Sequence, residues 1–423
     1  MPAEFSSPAP VVAAASMGVV ADGPTQPVSR GWTAVYSLVW FGYWMANLVP
    51  LQLLIPQQLQ EIDPSGKVTD YAVVNGFSGF VALLALPVAG ALCDRSRSRF
   101  GRRRAWLGGG ALAFAAGLLA TGAQTTVWGV TLAWSAAMLG LGAATAGLTA
   151  VIADRVPERQ RGMISSAIYG PQALGVVVGI AIVSVFSLSA ANGYVVMAAL
   201  LVVCALPFLI SYREVLHGPE SPLSLRAVFA SMADSLRNRE FAWAFGGRLL
   251  VNMANSLGTC YTLYFLADSL KVKDPESSLL MATIAYLLAG LVATYLAGAL
   301  SDRLGRRRIF VALAAFLQAF AGFLVAAFPS MSHEIVASAL MGGGFGAYMA
   351  VDQALITQVL PDAESRAKDL GIMNIGAIVP PALAPLIASV IITSGLGYPA
   401  LFTTVGIGAT VGAVLTYRVR SVR

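Results

Sequence analysis

Apolar runs of about twenty residues recur roughly every 33 residues along this 423-residue chain, separated by short polar stretches. A run of that length crosses a hydrocarbon layer of about 30 Å as a helix and is far too long for a strand. A membrane barrel would alternate apolar and polar positions instead. The pattern predicts helices near 32–58, 71–93, 106–124, 128–152, 164–188 and 191–212. Six more are expected near 241–267, 279–300, 309–328, 335–360, 371–393 and 398–417. The expected fold is therefore an all-α membrane protein with twelve transmembrane helices. Residues 1–29, rich in Pro, Ala, Ser and Gly, read as a disordered tail. No basic residue precedes Arg30, so the mildly apolar stretch Val11 to Val20 lacks the charged start of a signal peptide.

Composition narrows the class. Some 57% of residues are hydrophobic, about 241 in all, which matches the ~240 that twelve spans of ~20 residues need. Charged residues make up 11%, against roughly a quarter in soluble domains. A soluble enzyme, a nucleic-acid-binding domain and a disordered protein are excluded. The net charge of +6 is parcelled among short loops rather than gathered in a patch for a polyanion. Cys93, Cys204 and Cys260 lie in apolar settings and are too few for a disulfide framework. The two histidines, His217 and His333, fall between apolar runs, so no histidine metal site forms within the bilayer and no cofactor is expected.

With the N-terminus in the cytoplasm, 23 of the 27 Lys and Arg residues fall on the cytoplasmic side. Only Lys67, Lys271 and Lys273 fall outside, and Arg248 lies within a span. The positive-inside rule therefore puts both termini in the cytoplasm of a multi-pass cell-membrane protein.

The loop after the second span reads Gly90-Ala-Leu-Cys-Asp94-Arg95-Ser-Arg97-Ser-Arg99-Phe-Gly101-Arg102-Arg103-Arg104. The loop after the eighth reads Gly298-Ala-Leu-Ser-Asp302-Arg303-Leu-Gly305-Arg306-Arg307-Arg308. Asp94 and Asp302 are 208 residues apart, about half the chain. A second echo pairs Pro157-Glu-Arg-Gln-Arg161-Gly162 with Pro361-Asp-Ala-Glu-Ser-Arg366. Both echoes keep the same topology, so the chain reads as a parallel duplication. Its parts are an N-terminal six-helix bundle at 30–212, a cytoplasmic linker at 213–240, a C-terminal bundle at 241–418 and a tail at 419–423.

Both Asp–Arg loops resemble the signature of the major facilitator superfamily, and the likeness runs over residues 30–420. The resemblance implies two pseudo-symmetric halves that rock about a central cavity opening to one side and then the other. The first loop carries four extra residues, giving Ser-Arg-Ser-Arg-Phe before Gly101 and Trp106. That variant is similar to the glycoside–pentoside–hexuronide and sucrose-transporter branches. The resemblance assigns Gly90, Asp94, Arg95, Gly101, Arg102, Arg161, Asp302, Arg303, Gly305 and Arg306 to a cytoplasmic gate. An Asp beside fixed guanidinium groups can bridge to helix ends of the other half. For Arg102 to Arg104 and Arg306 to Arg308, anchoring to anionic lipid competes with that role.

All but two of the 48 formal charges fall in loops or at span ends. The exceptions are Arg248 in span 7 and Asp352 in span 10, each costing about 2.5–3.5 kcal/mol near a helix centre. Counted from their span ends, both lie roughly 11–12 Å below the same surface, a depth that permits an ion pair. Span 7 carries a polar stripe, Arg248, Asn252, Asn255, Thr259 and Thr262, on one helical face. Such a stripe lines water or a partner helix. Asp352 is the candidate for proton coupling, since an apolar setting favours its neutral form and Arg248 its charged form. A clamp that never titrates is the rival reading.

Span 1 offers Trp40, Tyr43, Trp44 and Asn47 at i, i+3, i+4 and i+7, with Pro50 and Gln52 beyond. Aromatic faces and an amide suit a sugar-like or drug-like solute, although interfacial anchoring uses the same residue types. Tyr169, Gln172 and Tyr348 are further cavity candidates. Gly170-Pro171 resembles the antiporter signature of span 5, while Gly175 and Gly179 depart from its spacing. Gly140, Gly142 and Gly147 in span 4 and Gly342 to Gly346 in span 10 are expected to let helices approach closely. No Gly-Lys-Ser/Thr follows a glycine run, which excludes an ATP-driven pump. Pro380, Pro381 and Pro385 predict a kink or break in span 11.

The expectation is a monomeric, proton-coupled secondary transporter with a small-molecule substrate and lipid and protons as its other partners. Sugars or glycosides are slightly favoured. A proton-driven drug or metabolite exporter is the alternative. A channel, receptor or membrane enzyme is the reading from another class, and an enzyme would need a catalytic cluster at membrane depth that the sequence does not offer.

Overall fold

The computed structural model describes residues 27–96, 98, 101–212, 238–359 and 366–419. Twelve long helical runs account for nearly all of them, and no strand occurs among the described residues. In the N-terminal half these are α1 (Arg30–Val49, prolonged by a π turn Pro50–Leu54 and by Ile55–Ile62), α2 (Lys67–Arg95), α3 (Arg102–Gly122), α4 (Val127–Arg155), α5 (Glu158–Val185) and α6 (Ala190–Ser211). The C-terminal half has α7 (Arg239–Cys260, prolonged by Thr262–Tyr264 and a π turn Phe265–Ser269), α8 (Pro275–Leu304), α9 (Arg307–Ala327) and α10 (Met331–Val359). It ends with α11 (Arg366–Ile391) and α12 (Gly397–Tyr417). The expected tail, most of the linker and the C-terminal end lie outside the described residues.

Local chemistry sets several starts. The side chains of Ser29, Thr126, Ser189, Asn238 and Asp274 accept hydrogen bonds from backbone N–H groups of the following turn, satisfying donors that a helix leaves open. At the other end, Gly305 takes φ 61° and closes α8 in the left-handed region.

Nine stretches of the described residues are long and apolar enough to cross a membrane, the last, Ile372–Tyr417, taking in both α11 and α12. α7 is not among them, because its polar face dilutes it. Leu112, Leu291 and Val390 stand on the outer surface, 62%, 53% and 69% exposed, a face fit for lipid tails rather than water.

One buried apolar cluster runs from the N-terminal half into the C-terminal half through Tyr261, Tyr264 and Phe265, and a second, around Phe241, Tyr348 and Ile372, belongs to the C-terminal half alone. In the N-terminal half Tyr36, Trp40, Tyr43, Phe114 and Phe208 form a chain of stacked and edge-on rings. In the C-terminal half Gly342 and Gly346 of α10 face α8. A Cβ at Gly342 would collide with the backbone of Tyr286, and one at Gly346 with that of Gly290. Gly140 plays the same part between α4 and the Phe114 backbone of α3.

Two expectations change. α11 runs without a break through Pro380, Pro381 and Pro385. The chain departs from helix geometry later, at Gly395 in the π turn Ile392–Leu396 and at Gly397 just after it, with φ of 88° and 67°. Arg103, grouped above with lipid anchors, is turned inward and only 3% exposed, its Nε donating to Asp154 Oδ2 at 2.9 Å. The buried charges are therefore more than Arg248 and Asp352, since a long guanidinium at a helix start reaches under the loop to the end of α4.

Candidate functional site

The polar face of α7 lies against α10 and α8. Arg248 and Asp352 are 4% and 3% exposed, and Arg248 Nη1 donates to Asp352 Oδ2. One turn on, Asn252 Nδ2 donates to Arg248 O at 2.8 Å and reaches Tyr348 Oη at 3.1 Å, which ties the pair to a second contact between the helices. Gly376 of α11 sits over the Arg248 stem, where a Cβ would meet Cγ at 3.5 Å. Arg248 Nε is buried without a partner. A cation and an anion taken out of water together depend on each other, since either one left alone at that depth is costly.

Further along α7, Tyr286 Oη of α8 donates to Asn255 Oδ1 at 2.9 Å. Thr259 and Thr262 face a small cavity inside the C-terminal half. The stripe is thus divided: its first members meet α10, its middle meets α8, and its far end lines that cavity.

In α1, Tyr43 is 1% exposed and stacks on Phe114, so its ring belongs to the N-terminal core. Trp40 is 5% exposed and stacks on Trp44. Trp44 and Asn47 are half-buried, with Trp44 Nε1 donating to Ile168 O at 2.9 Å and Asn47 Oδ1 left without a partner. Gln52 lies in the π turn and is half-buried, as is Gln172 in α5. The side chain of Tyr169 lies outside the described residues.

At the Arg-rich face, Gly90 and the exposed Arg95 lie in the last turns of α2, and Gly101 starts α3 with φ 94°. Arg102 is half-buried, while Arg303, Gly305 and Arg306 are exposed. The side chains of Asp94, Arg161 and Asp302 lie outside the described residues, so the bridging role assigned to them is a matter for experiment.

The opposite face carries contacts that the sequence reading did not single out. There Lys67 Nζ of α2 donates to Asp268 Oδ1 at 2.6 Å and lies 4.9 Å from the ring centre of Tyr264. Tyr398 Oη lies 3.2 Å from the other Asp268 oxygen. Gln57 Nε2 donates to Glu276 Oε1, Tyr264 Oη to Pro56 O at 2.9 Å and Tyr261 Oη to Val68 O at 2.8 Å. All but the Tyr398 contact join one half to the other. Lys67 could have drawn notice as one of only three cations placed on that side; its partner, 201 residues away, could not.

Known proteins agree with this architecture. Two solved structures of POT family transporters, one holding a thioalcohol-conjugated peptide and one 5-aminolevulinic acid, superpose with TM-scores of 0.71 and 0.72. Each match covers 91% of this chain and 95% of that one at 13% identity, which speaks for the fold alone. Among curated relatives, the multidrug resistance protein MdtL of Shewanella sp. (strain ANA-3) is 35% identical over 133 residues, 31% of this chain and 33% of the relative. A probable 4-methylmuconolactone transporter of Cupriavidus pinatubonensis is 34% identical over 112 residues, 26% of each chain. These alignments take in about a third or less of the relatives' length. The Major Facilitator Superfamily profile, in contrast, matches residues 32–270 and 244–423, one stretch for each half. Two matched halves of six helices, clasped at one face, identify the chain as a member of the Major Facilitator Superfamily, a membrane transporter and not an enzyme.

Proposed function

We propose that this transporter moves a small organic solute by alternating access, drawing on the proton gradient through Asp352. The observation that carries the reading is the Arg248–Asp352 pair, buried between α7 and α10 with a guanidinium N–H left over. Protonation of Asp352 removes the charge that holds Arg248, loosening that grip and permitting the rocking step. A membrane potential of 100 mV supplies about 2.3 kcal/mol per net charge moved, roughly fifty-fold for a neutral solute exchanged with one proton, whereas exchange of a monovalent cation for one proton draws on the pH difference alone.

The clasp at the face opposite the Arg-rich loops supports a conformer shut on that side. With the basic loops cytoplasmic, the shut side is extracellular. Outward movement of lipophilic or weakly charged solutes is the favoured direction, because the partial relatives include multidrug resistance proteins. The slight preference for sugars has no counterpart among these relatives.

Purified protein in liposomes with an imposed pH gradient tests the reading, with labelled sugars screened against lipophilic cations. Gradient-driven accumulation of a lipophilic cation, abolished by Asp352→Asn, is the expected result. An Asp352→Asn protein that still concentrates solute removes the coupling role, and movement indifferent to the gradient leaves a facilitator.

A further inference from the structure

Glu334, three residues into α10, is 4% exposed, and its carboxylate borders a cavity of about 30 Å³ inside the C-terminal half. Thr259 and Thr262 of α7, Tyr286 of α8 and Ser338 of α10 share that cavity. The protons of these hydroxyls are already committed. Thr259 Oγ1 donates to Asn255 O at 2.9 Å and Thr262 Oγ1 to Thr259 O at 3.2 Å. Tyr286 Oη donates to Asn255 Oδ1 at 2.9 Å, and Ser338 Oγ donates to Glu334 Oε1 at 3.3 Å. Their oxygens keep lone pairs free to accept from an occupant of the cavity.

The remaining walls supply no positive charge. α9 contributes Ala321 and Val325, α12 contributes Phe402, and Tyr286 is the only other titratable wall group. His333, the neighbour of Glu334, points its Nδ1 at Ser330 Oγ, 2.7 Å away. Arg248 is engaged with Asp352 and sits about 16 Å along α7 from Thr259 at 1.5 Å per residue. A buried carboxylate that accepts from one serine hydroxyl and meets no positive charge on these walls is unfavourable unless a cation joins it.

We infer that the Glu334 cavity is a binding site for one small monovalent cation, either sodium or a proton taken up with water. Oxygen ligands of this kind suit hard cations. One carboxylate balances one positive charge, and no group of three His, Cys, Asp or Glu side chains that would suit a divalent metal occurs among the described residues. The volume fits an ion or one to two waters. This site is separate from Asp352, and its occupancy is read without transport.

The test uses the purified full-length protein. Its melting temperature is followed as sodium chloride replaces choline chloride, and its infrared carboxyl band is compared between acid and alkaline buffer. If sodium is the occupant, melting rises by a few degrees and saturates. Glu334→Gln abolishes that rise, and Thr262→Val moves its midpoint up about tenfold. If the proton is the occupant, the sodium response is absent and a protonated-carboxyl band disappears in Glu334→Gln. Thr262→Val serves where Glu334→Gln fails to fold, since a sodium midpoint or carboxyl band unmoved by it rejects the site. A wild-type protein with neither response, as for a cavity holding only water, overturns the inference. So does a sodium response or carboxyl band that Glu334→Gln leaves intact.

Discussion

Lys67 of α2 and Asp268 at the end of α7 meet across the boundary between the halves, Nζ to Oδ1 at 2.6 Å. The lysine side chain is 11% exposed and the aspartate 36%, so water screens the pair only in part. Opening that face to admit or release solute requires their separation.

Lys67→Glu should therefore favour the opened face, and Lys67→Glu with Asp268→Lys should restore the closed one. For a partly exposed pair the expected effect is about 1 kcal/mol, roughly a fivefold change in the ratio of conformers. Distances between spin labels placed on the two halves at that face report the ratio. Equal distributions in wild type and Lys67→Glu would show that the pair does no latching.

Gln57 and Glu276 touch across the same boundary. Cysteines at both positions, with Cys93, Cys204 and Cys260 replaced by serine, should form a cross-link that arrests transport in vesicles. Reductant should restore it. Transport at full rate with the cross-link quantitatively formed would contradict rocking of the halves.

Removing one partner of the Arg248–Asp352 pair leaves a lone charge at membrane depth. Arg248→Ala and Asp352→Ala should each lose about 3–5 kcal/mol of stability, while Arg248→Met combined with Asp352→Leu should lose far less and still fail to transport. Thermal unfolding in detergent, read beside vesicle flux, separates the two effects. A double variant as unstable as the singles would mean that the cost is packing rather than charge.

The contact of α8 with α10 makes another distinction among glycines. Gly342→Leu or Gly346→Leu forces a side chain into the facing backbone and should cost about 1–3 kcal/mol or more. Gly109→Ala, whose Cβ would have nothing within 4 Å, should be neutral or slightly stabilising. Melting temperatures of the purified variants check the order.

Much of this was legible because a helix imposes its period on the sequence. Twenty-residue apolar runs located the spans, and residue counts from the span ends put Arg248 and Asp352 at one depth. The 3.6-residue rhythm of Arg248, Asn252, Asn255, Thr259 and Thr262 marked one face, though not that its far end closes around a cavity with Glu334. Glu334 itself looked like a loop charge because α10 begins at Met331, earlier than the apolar run suggests. Arg103 was one of three consecutive arginines, and only the packing of α3 on α4 singles it out. Tyr43 shares a face with Trp44 in one dimension yet turns to Phe114 in three. Lys67 and Asp268 belong to different halves, and no local pattern joins residues whose contact depends on which face is closed.

Gly342 and Gly346 of α10 have a mechanical consequence. With its backbone pressed on that of α8 at Gly342 and Gly346, α10 has little room to move without its neighbour, and it carries Asp352 near one end and Glu334 near the other. On the two proposals above, a charge neutralised at either carboxylate acts on one packed pair of helices.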